Sequence, residues 1–212
     1  MEALECILTR QSIRIYDKKD VPNELIGQIL EAGVHAPSAG NIQPWEFIVV
    51  KDKKIKKEIA DASLKQRQIE EAPVLITVCI DPEKSGLRYG ERGKTLYCFQ
   101  DTAAAIENML LAAKALGLGS CWNGAFEEEK VKSILRIPAK LRPIAILSIG
   151  FPVPYEKPTK TPRIPFENIT WIDKYGEGFS WIEKFGKEWK FKIKPLEEHV
   201  KKLKEKVTLS KK

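Results

Sequence analysis

The run Val74-Leu75-Ile76-Thr77-Val78-Cys79-Ile80, fenced by Pro73 and Asp81, is the most constraining feature of this chain. A half-exposed strand alternates apolar with polar residues. This one is apolar on both faces, so it reads as a central strand with helices covering each side. Trp45 to Val50 and Arg142 to Ile149 read as further strands, and Cys121 to Ala125 as a short strand or turn.

Helical spacing fills the intervals. Met1 to Leu8 is a short helix candidate. Asp20 and Pro22 signal the start of a second helix, whose Leu25, Ile26, Ile29 and Leu30 recur on one face and which ends near Gly33. Lys53 to Ala62 is a charged surface helix and Glu127 to Leu135 an amphipathic one. Tyr97 to Leu116 is the longest, apolar nearly all round and therefore a core or interface helix, closed by Gly117 and Gly119. Ser85 to Lys94, polar and glycine-containing, reads as a loop or mobile lid. Pro152, Pro154, Pro158, Pro162 and Pro165 keep the late segment extended, as an arm that can reach a partner.

At 212 residues, one core is expected rather than two full-sized domains. The net charge of +7 is concentrated: Phe179 to Lys212 carries eleven Lys and five acidic residues, while the rest is close to neutral. Such a tail reads as a solvated helix face, and neither a nucleic-acid nor a membrane partner is expected. No apolar run approaches the roughly 20 residues of a membrane span. Glu2 and Glu5 stand where a leader would be basic and then apolar, so a cytoplasmic location is expected. The four cysteines are scattered without a CxxC pair, which argues against a disulfide framework or a zinc site, and no metal is expected.

Two stretches carry chemistry. In Arg10-Gln11-Ser12-Ile13-Arg14, an extended backbone would turn Arg10, Ser12 and Arg14 to one face, where two guanidinium groups and a hydroxyl suit a dianionic phosphate. Spacing alone does not separate this from a surface strand with ordinary charges. In Pro37-Ser38-Ala39-Gly40-Asn41-Ile42-Gln43-Pro44-Trp45, small residues allow close backbone approach to a flat ligand, and Asn41 and Gln43 offer amide groups. A tight helix-to-strand connection anchored by Trp45 would look the same. No catalytic triad is visible; His35 reads as a helix-end residue rather than a base.

Taken in order, these motifs resemble the nitroreductase family of FMN-dependent oxidoreductases. The resemblance continues through Glu71-Ala72-Pro73, Asp101-Thr102-Ala103-Ala104-Ala105 with Asn108, Gly117-Leu118-Gly119-Ser120-Cys121-Trp122, Gly150-Phe151-Pro152 and Pro162-Arg163-Ile164-Pro165. It covers roughly residues 1–175, leaving 176–212 as a basic, helical extension. It implies an α+β fold, with a central, mostly antiparallel sheet flanked by helices, in an intertwined homodimer joined largely through the long helix. It also implies FMN as cofactor, NADH or NADPH as donor, and a nitroaromatic, quinone or similar small acceptor, reduced in a ping-pong sequence. By the same resemblance, Arg10, Gln11, Ser12, Arg14 and Arg163 hold the phosphate and ribityl end. Pro37, Ser38, Ala39, Gly40 and Asn41 meet the flavin held mainly by the partner, Gln66 or Gln68 the pyrimidine edge, and Asn123 and Gly124 the region near N5. Many members carry an acid where Asn123 falls.

Two readings from other classes compete. Gly93-Lys94-Thr95 could close a phosphate-binding loop between strand and helix, but Arg88 holds the place where the pattern needs a glycine. A non-catalytic module that binds through its basic tail is the other.

Overall fold

The computed structural model of the chain describes residues 2–153 and 162–177. β2 (Val74–Ile80) is buried along its whole length, as its two apolar faces require. It pairs antiparallel with β1 (Trp45–Val50) on one side and with β4 (Arg142–Gly150) on the other. β3 (Gly119–Asn123) pairs antiparallel with β4, so the order is β1-β2-β4-β3 and β1 and β3 occupy opposite edges. The class is α+β with an antiparallel sheet, as expected.

The period of two along β2 sorts the core into two layers. Val74, Ile76 and Val78, with Ala145, Leu147 and Ile149 of β4, face α2 (Asn23–Val34) and α6 (Cys98–Ala115), which bring Ile26, Ile29, Ile106, Met109 and Leu110. Leu75, Cys79 and Ile146 face α3 (Lys53–Asp61), the single turn α4 (Arg67–Glu71) and α7 (Glu128–Leu135), which bring Ile59, Ile69 and Val131. Lys56 is buried within this second layer, where its ammonium donates to Ala72 O (2.6 Å) and Pro73 O (3.3 Å) at the turn into β2. Burial pushes its pKa down.

α1 (Ala3–Thr9) lies against α6, with Cys6 Sγ 3.2 Å from Leu111 O. The chain beyond it is pinned to the β3 edge: Ser12 forms a parallel bridge to Ser120, and Ile13 N donates to Ser120 O at 2.9 Å. β3 begins two residues earlier than the sequence suggests, because Gly119, expected only to close the helix, lies so close to Ile13 that a Cβ there would be 2.7 Å from it.

The expected loop over Ser85 to Lys94 is instead helical: α5 spans Pro82–Arg92, and a π-helical turn over Gly93–Tyr97 feeds it into α6. Asp81 caps α5, accepting from the backbone N–H of Glu83 and Lys84, and Pro82 opens it with φ already set. The glycines that suggested a loop serve other ends. Gly90 kinks the helix at φ 56°, ψ −143°, and Gly93 packs so tightly on the Ser85 carbonyl that no side chain fits.

The chain divides into two units, Met1–Thr159 and Lys160–Lys212. In the second, Phe166–Ile169 forms a 3-10 turn, and the rings of Trp171 and Tyr175 stack with centroids 4.4 Å apart. The tail expected to be helical lies outside the described residues from 178 onward. Among the described residues, no helix is long and apolar enough to cross a membrane.

Candidate functional site

The expected residues of the first unit fall into two clusters at opposite edges of the sheet, and Arg163 belongs to the second unit. The first cluster lies along β3. Arg10 is the extended residue that ends α1, and its Nε lies 3.2 Å from Glu107 Oε1 on α6, buried yet without an aligned hydrogen bond. Ser12 and Arg14 follow on alternate, exposed positions, and Gln11, just before Ser12, is half-buried. Burial pushes the Cys121 thiol up, while Arg14, the Ser12 hydroxyl and Arg10 pull it back. The bridge from Ser12 to Ser120 sets this segment, with its two arginines and a hydroxyl, beside the start of β3.

At the other end of β3 an amide network is built. Asn123 is buried, and its Nδ2 donates to Ile146 O (2.8 Å), Cys121 O (3.1 Å) and Ser148 Oγ (3.2 Å). Its Oδ1 accepts from Gln68 Nε2, which also donates to Gln66 Oε1, each at 2.9 Å. Gln66 Nε2 in turn donates to Ser63 O and to Ala125 O across Gly124. Ser148 passes the network on to the Tyr16 hydroxyl, 2.9 Å away, which also donates to Ile13 O. One chain of hydrogen bonds therefore ties the Gln66 to Ala125 corner to the segment that carries Ser12 and Arg14. Tyr16 and Ser148 were not singled out from sequence. Their types are unremarkable, and only the β3–β4 register brings them beside Asn123.

The second cluster precedes β1. Pro37 and Ser38 lead into a 3-10 turn over Ala39–Asn41, in which Gly40 (φ 56°) and Asn41 (φ 58°) are left-handed, followed by Gln43 (φ 52°). Three contacts hold this shape. Ala39 N donates to Asp101 Oδ1 of α6 at 3.0 Å, Gln43 N to Ser38 Oγ at 3.1 Å, and Arg88 Nη1 of α5 to Gly40 O at 3.1 Å. Gln43 Nε2 also donates to Asn41 Oδ1 (2.9 Å). A Cβ at Gly40 would lie 2.6 Å from both Arg88 Nη1 and Tyr89 OH, so a side chain there would push both of them away at a left-handed φ of 56°. Asp101 is buried, its Oδ2 has no partner, and burial pushes its pKa up against the Ala39 N–H. Its place in a motif was visible in the sequence, but its role was not.

Arg163 is exposed. His35 ends α2, its Nδ1 2.8 Å from Glu31 O, a helix-end role as expected. Lys94 pairs with Glu83 at 2.7 Å inside a continuous helical stretch, so Gly93-Lys94-Thr95 forms no strand-to-helix phosphate loop. All four cysteines are free and buried, and burial pushes Cys79 up to about 12, which leaves no activated thiolate among them.

The nitroreductase family pattern matches residues 7–74 and 63–151. The chain belongs to the nitroreductase family. This nitroreductase-family oxidoreductase is 41% identical over 155 residues to an Archaeoglobus fulgidus protein provisionally named NADH dehydrogenase/NAD(P)H nitroreductase, covering 71% of this chain and 86% of that one. It is 29% identical over 187 residues to the Bacillus subtilis FMN reductase (NAD(P)H), covering 82% and 74%. The crystal structure of a nitroreductase family protein from Clostridium novyi NT, 33% identical, superposes with a TM-score of 0.66 over 84% of this chain and 97% of that one.

Proposed function

We propose that this chain binds FMN and moves hydride from NADH or NADPH to a small organic acceptor such as a nitroaromatic or quinone, as a homodimer with two shared sites. The observation that carries the reading is the separation of its two residue clusters. The cationic start and amide end of β3 sit on one edge of the sheet, and the glycine-bearing turn at Pro37 to Asn41 leads into the other. A second copy that brings its turn to the first copy's β3 edge would complete what one chain leaves open.

The residues fit the cofactor. Arg10 has a buried Nε with no aligned hydrogen bond among the described residues, and Arg10, Ser12 and Arg14 would offer two guanidinium groups and a hydroxyl to a phosphate monoester. Gln11 would add its backbone or amide there, and Arg163 would complete the grip. From the neighbouring copy, Pro37, Ser38, Ala39, Gly40 and Asn41 would press a backbone without bulky side chains against the ring. Gln66, or Gln68 beside it, would read the pyrimidine edge, with Asn123 and Gly124 near its centre. When bound, FMN supplies the centre that takes hydride from the nicotinamide and yields it to the acceptor in a ping-pong sequence. The chain's own work is to hold, orient and shield. Asn123 has all its donors turned to carbonyl and hydroxyl oxygens, so it orders β3 against β4 and performs no proton transfer.

The visible spectrum tests the reading. The purified protein mixed with FMN should retain flavin absorbance through gel filtration and bleach on anaerobic addition of NADH. Arg10→Ala combined with Arg163→Ala should emerge largely colourless, since each lost charge-assisted contact is worth on the order of 1.5–3 kcal/mol. Full occupancy in that double variant would overturn the phosphate assignment.

A further inference from the structure

α5 and the π turn that follows it carry a row of side chains to which the flavin reading assigns no ligand contact. Arg88 Cζ lies 5.5 Å from the centroid of the Tyr89 ring, and Arg92 Cζ lies 5.3 Å from that of Tyr97. The two rings meet edge to face at 5.2 Å. The row thus reads cation, ring, ring, cation. Both guanidiniums are exposed and both tyrosines are half-buried.

Three further observations point to a ligand. First, the cations lack carboxylates. Arg10, Arg67 and Arg142 each face a glutamate, whereas among the described residues Arg88 has only Gly40 O and Arg92 only the Tyr97 hydroxyl at 2.9 Å. Of the acids on this segment, Glu83 pairs with Lys94. Second, the backbone is unusual where the row is built: Gly90 sits in a conformation open only to glycine, and the π turn over Gly93–Tyr97 adds a residue to the helical repeat. The Gly90 kink falls between the two arginines, and the π turn falls between Arg92 and Tyr97. Third, the row adjoins the Pro37 to Asn41 turn, because Arg88 donates to Gly40 O and Tyr89 OH crowds the same glycine.

We infer that Arg88, Tyr89, Arg92 and Tyr97 form the seat for the phosphate-bearing, non-reacting half of the nicotinamide dinucleotide. The inference rests on the flavin reading given under Proposed function. Guanidinium forks match phosphate oxygens, and tyrosine faces match a purine. A dinucleotide whose nicotinamide reaches a ring beside the 37–41 turn must lay its pyrophosphate and adenosine on an adjoining surface, and binding energy gathered there helps to orient the reacting end. An anionic aromatic acceptor shares part of this chemistry, so the test separates the two sources.

FMN-loaded protein is titrated calorimetrically with ADP, adenosine and 4-nitrobenzoate. ADP should bind at least about tenfold more tightly than adenosine, the worth of one exposed charge-assisted contact. That advantage should shrink with added salt. Arg92→Ala should bring ADP to the adenosine level, and Arg92→Lys, which keeps the charge without the fork, should fall between. Equal binding of ADP and adenosine by the unaltered protein, or ADP binding unmoved by Arg92→Ala, overturns the inference. An Arg92 effect confined to 4-nitrobenzoate assigns the row to the acceptor and overturns it equally. Should Arg92→Ala fail to fold, the ADP-to-adenosine ratio of the unaltered protein decides alone. Protein that stays colourless with FMN before any nucleotide is added sinks the flavin reading itself, and this inference with it, whereas a yellow protein indifferent to ADP sinks only the latter.

Discussion

Two aspartates show how one residue type acquires opposite pH behaviour. Asp81 caps α5 and accepts from Lys140 Nζ at 2.9 Å; burial works to raise its pKa, but Lys140 and the backbone N–H of Lys84 prevail and hold it below the ordinary aspartate value of 3.8. It therefore stabilises the fold above the ordinary carboxylate range, and that contribution is lost as pH falls through its folded pKa. Asp101 is raised, by burial that its one hydrogen bond from Ala39 does not offset. The folded chain holds that proton more tightly than the unfolded one, so stability declines as pH climbs through the window above 3.8. Asp101→Asn keeps an acceptor for Ala39 and removes the buried charge. Its melting temperature should exceed the parent's by a few degrees at about pH 7 and match it at about pH 4. An equal gain at both values would mean that charge is not what Asp101 contributes. Asn123 makes the complementary case, since its amide donates to two carbonyl oxygens that would repel a carboxylate in its place.

At the level of elements, segments with a clear period were legible and those punctuated by glycine were not. β1 and β2 fall where their apolar runs lie, and α2, α3, α6 and α7 fall within a residue or two of their expected bounds. α5 was read as a loop because Gly86 and Gly90 interrupt a polar run, although Asp81-Pro82 is a sound start signal. The Asp81 cap and the ion pairs of Lys94 with Glu83 and Lys140 with Asp81 favour the helix against the cost of those glycines. α4 is too short to show a period at all. Of the site, the Arg10 to Arg14 segment and the 37–41 turn were visible because their residue types are specific. The Asn123–Ser148–Tyr16 links depend on strand register, which no local pattern encodes. Gly90→Ala tests the account of α5. A side chain at φ 56°, ψ −143° should cost on the order of 1–3 kcal/mol and lower the melting temperature by several degrees. An unchanged melting curve would mean that the kink relaxes freely.

For the whole molecule, the telling surface is that of α1. Leu4, Ile7 and Leu8 lie at i, i+3 and i+4, 56%, 52% and 47% exposed, one turn away from the Arg10 cradle. An apolar stripe beside half of the proposed cofactor site is what a second subunit would cover. On the dimer reading, Ile7→Glu with Leu8→Glu should sediment as a monomer and retain little FMN, although neither side chain belongs to the proposed phosphate grip. A dimeric, fully yellow variant would place the subunit contact elsewhere. The assignment of the two residue clusters to opposite rims of the sheet reaches beyond affinity. Where each prosthetic group is clasped by two molecules at once, holding it becomes a second-order affair. Scarcity of the polypeptide would then bleach the whole population, however intact each individual fold remained.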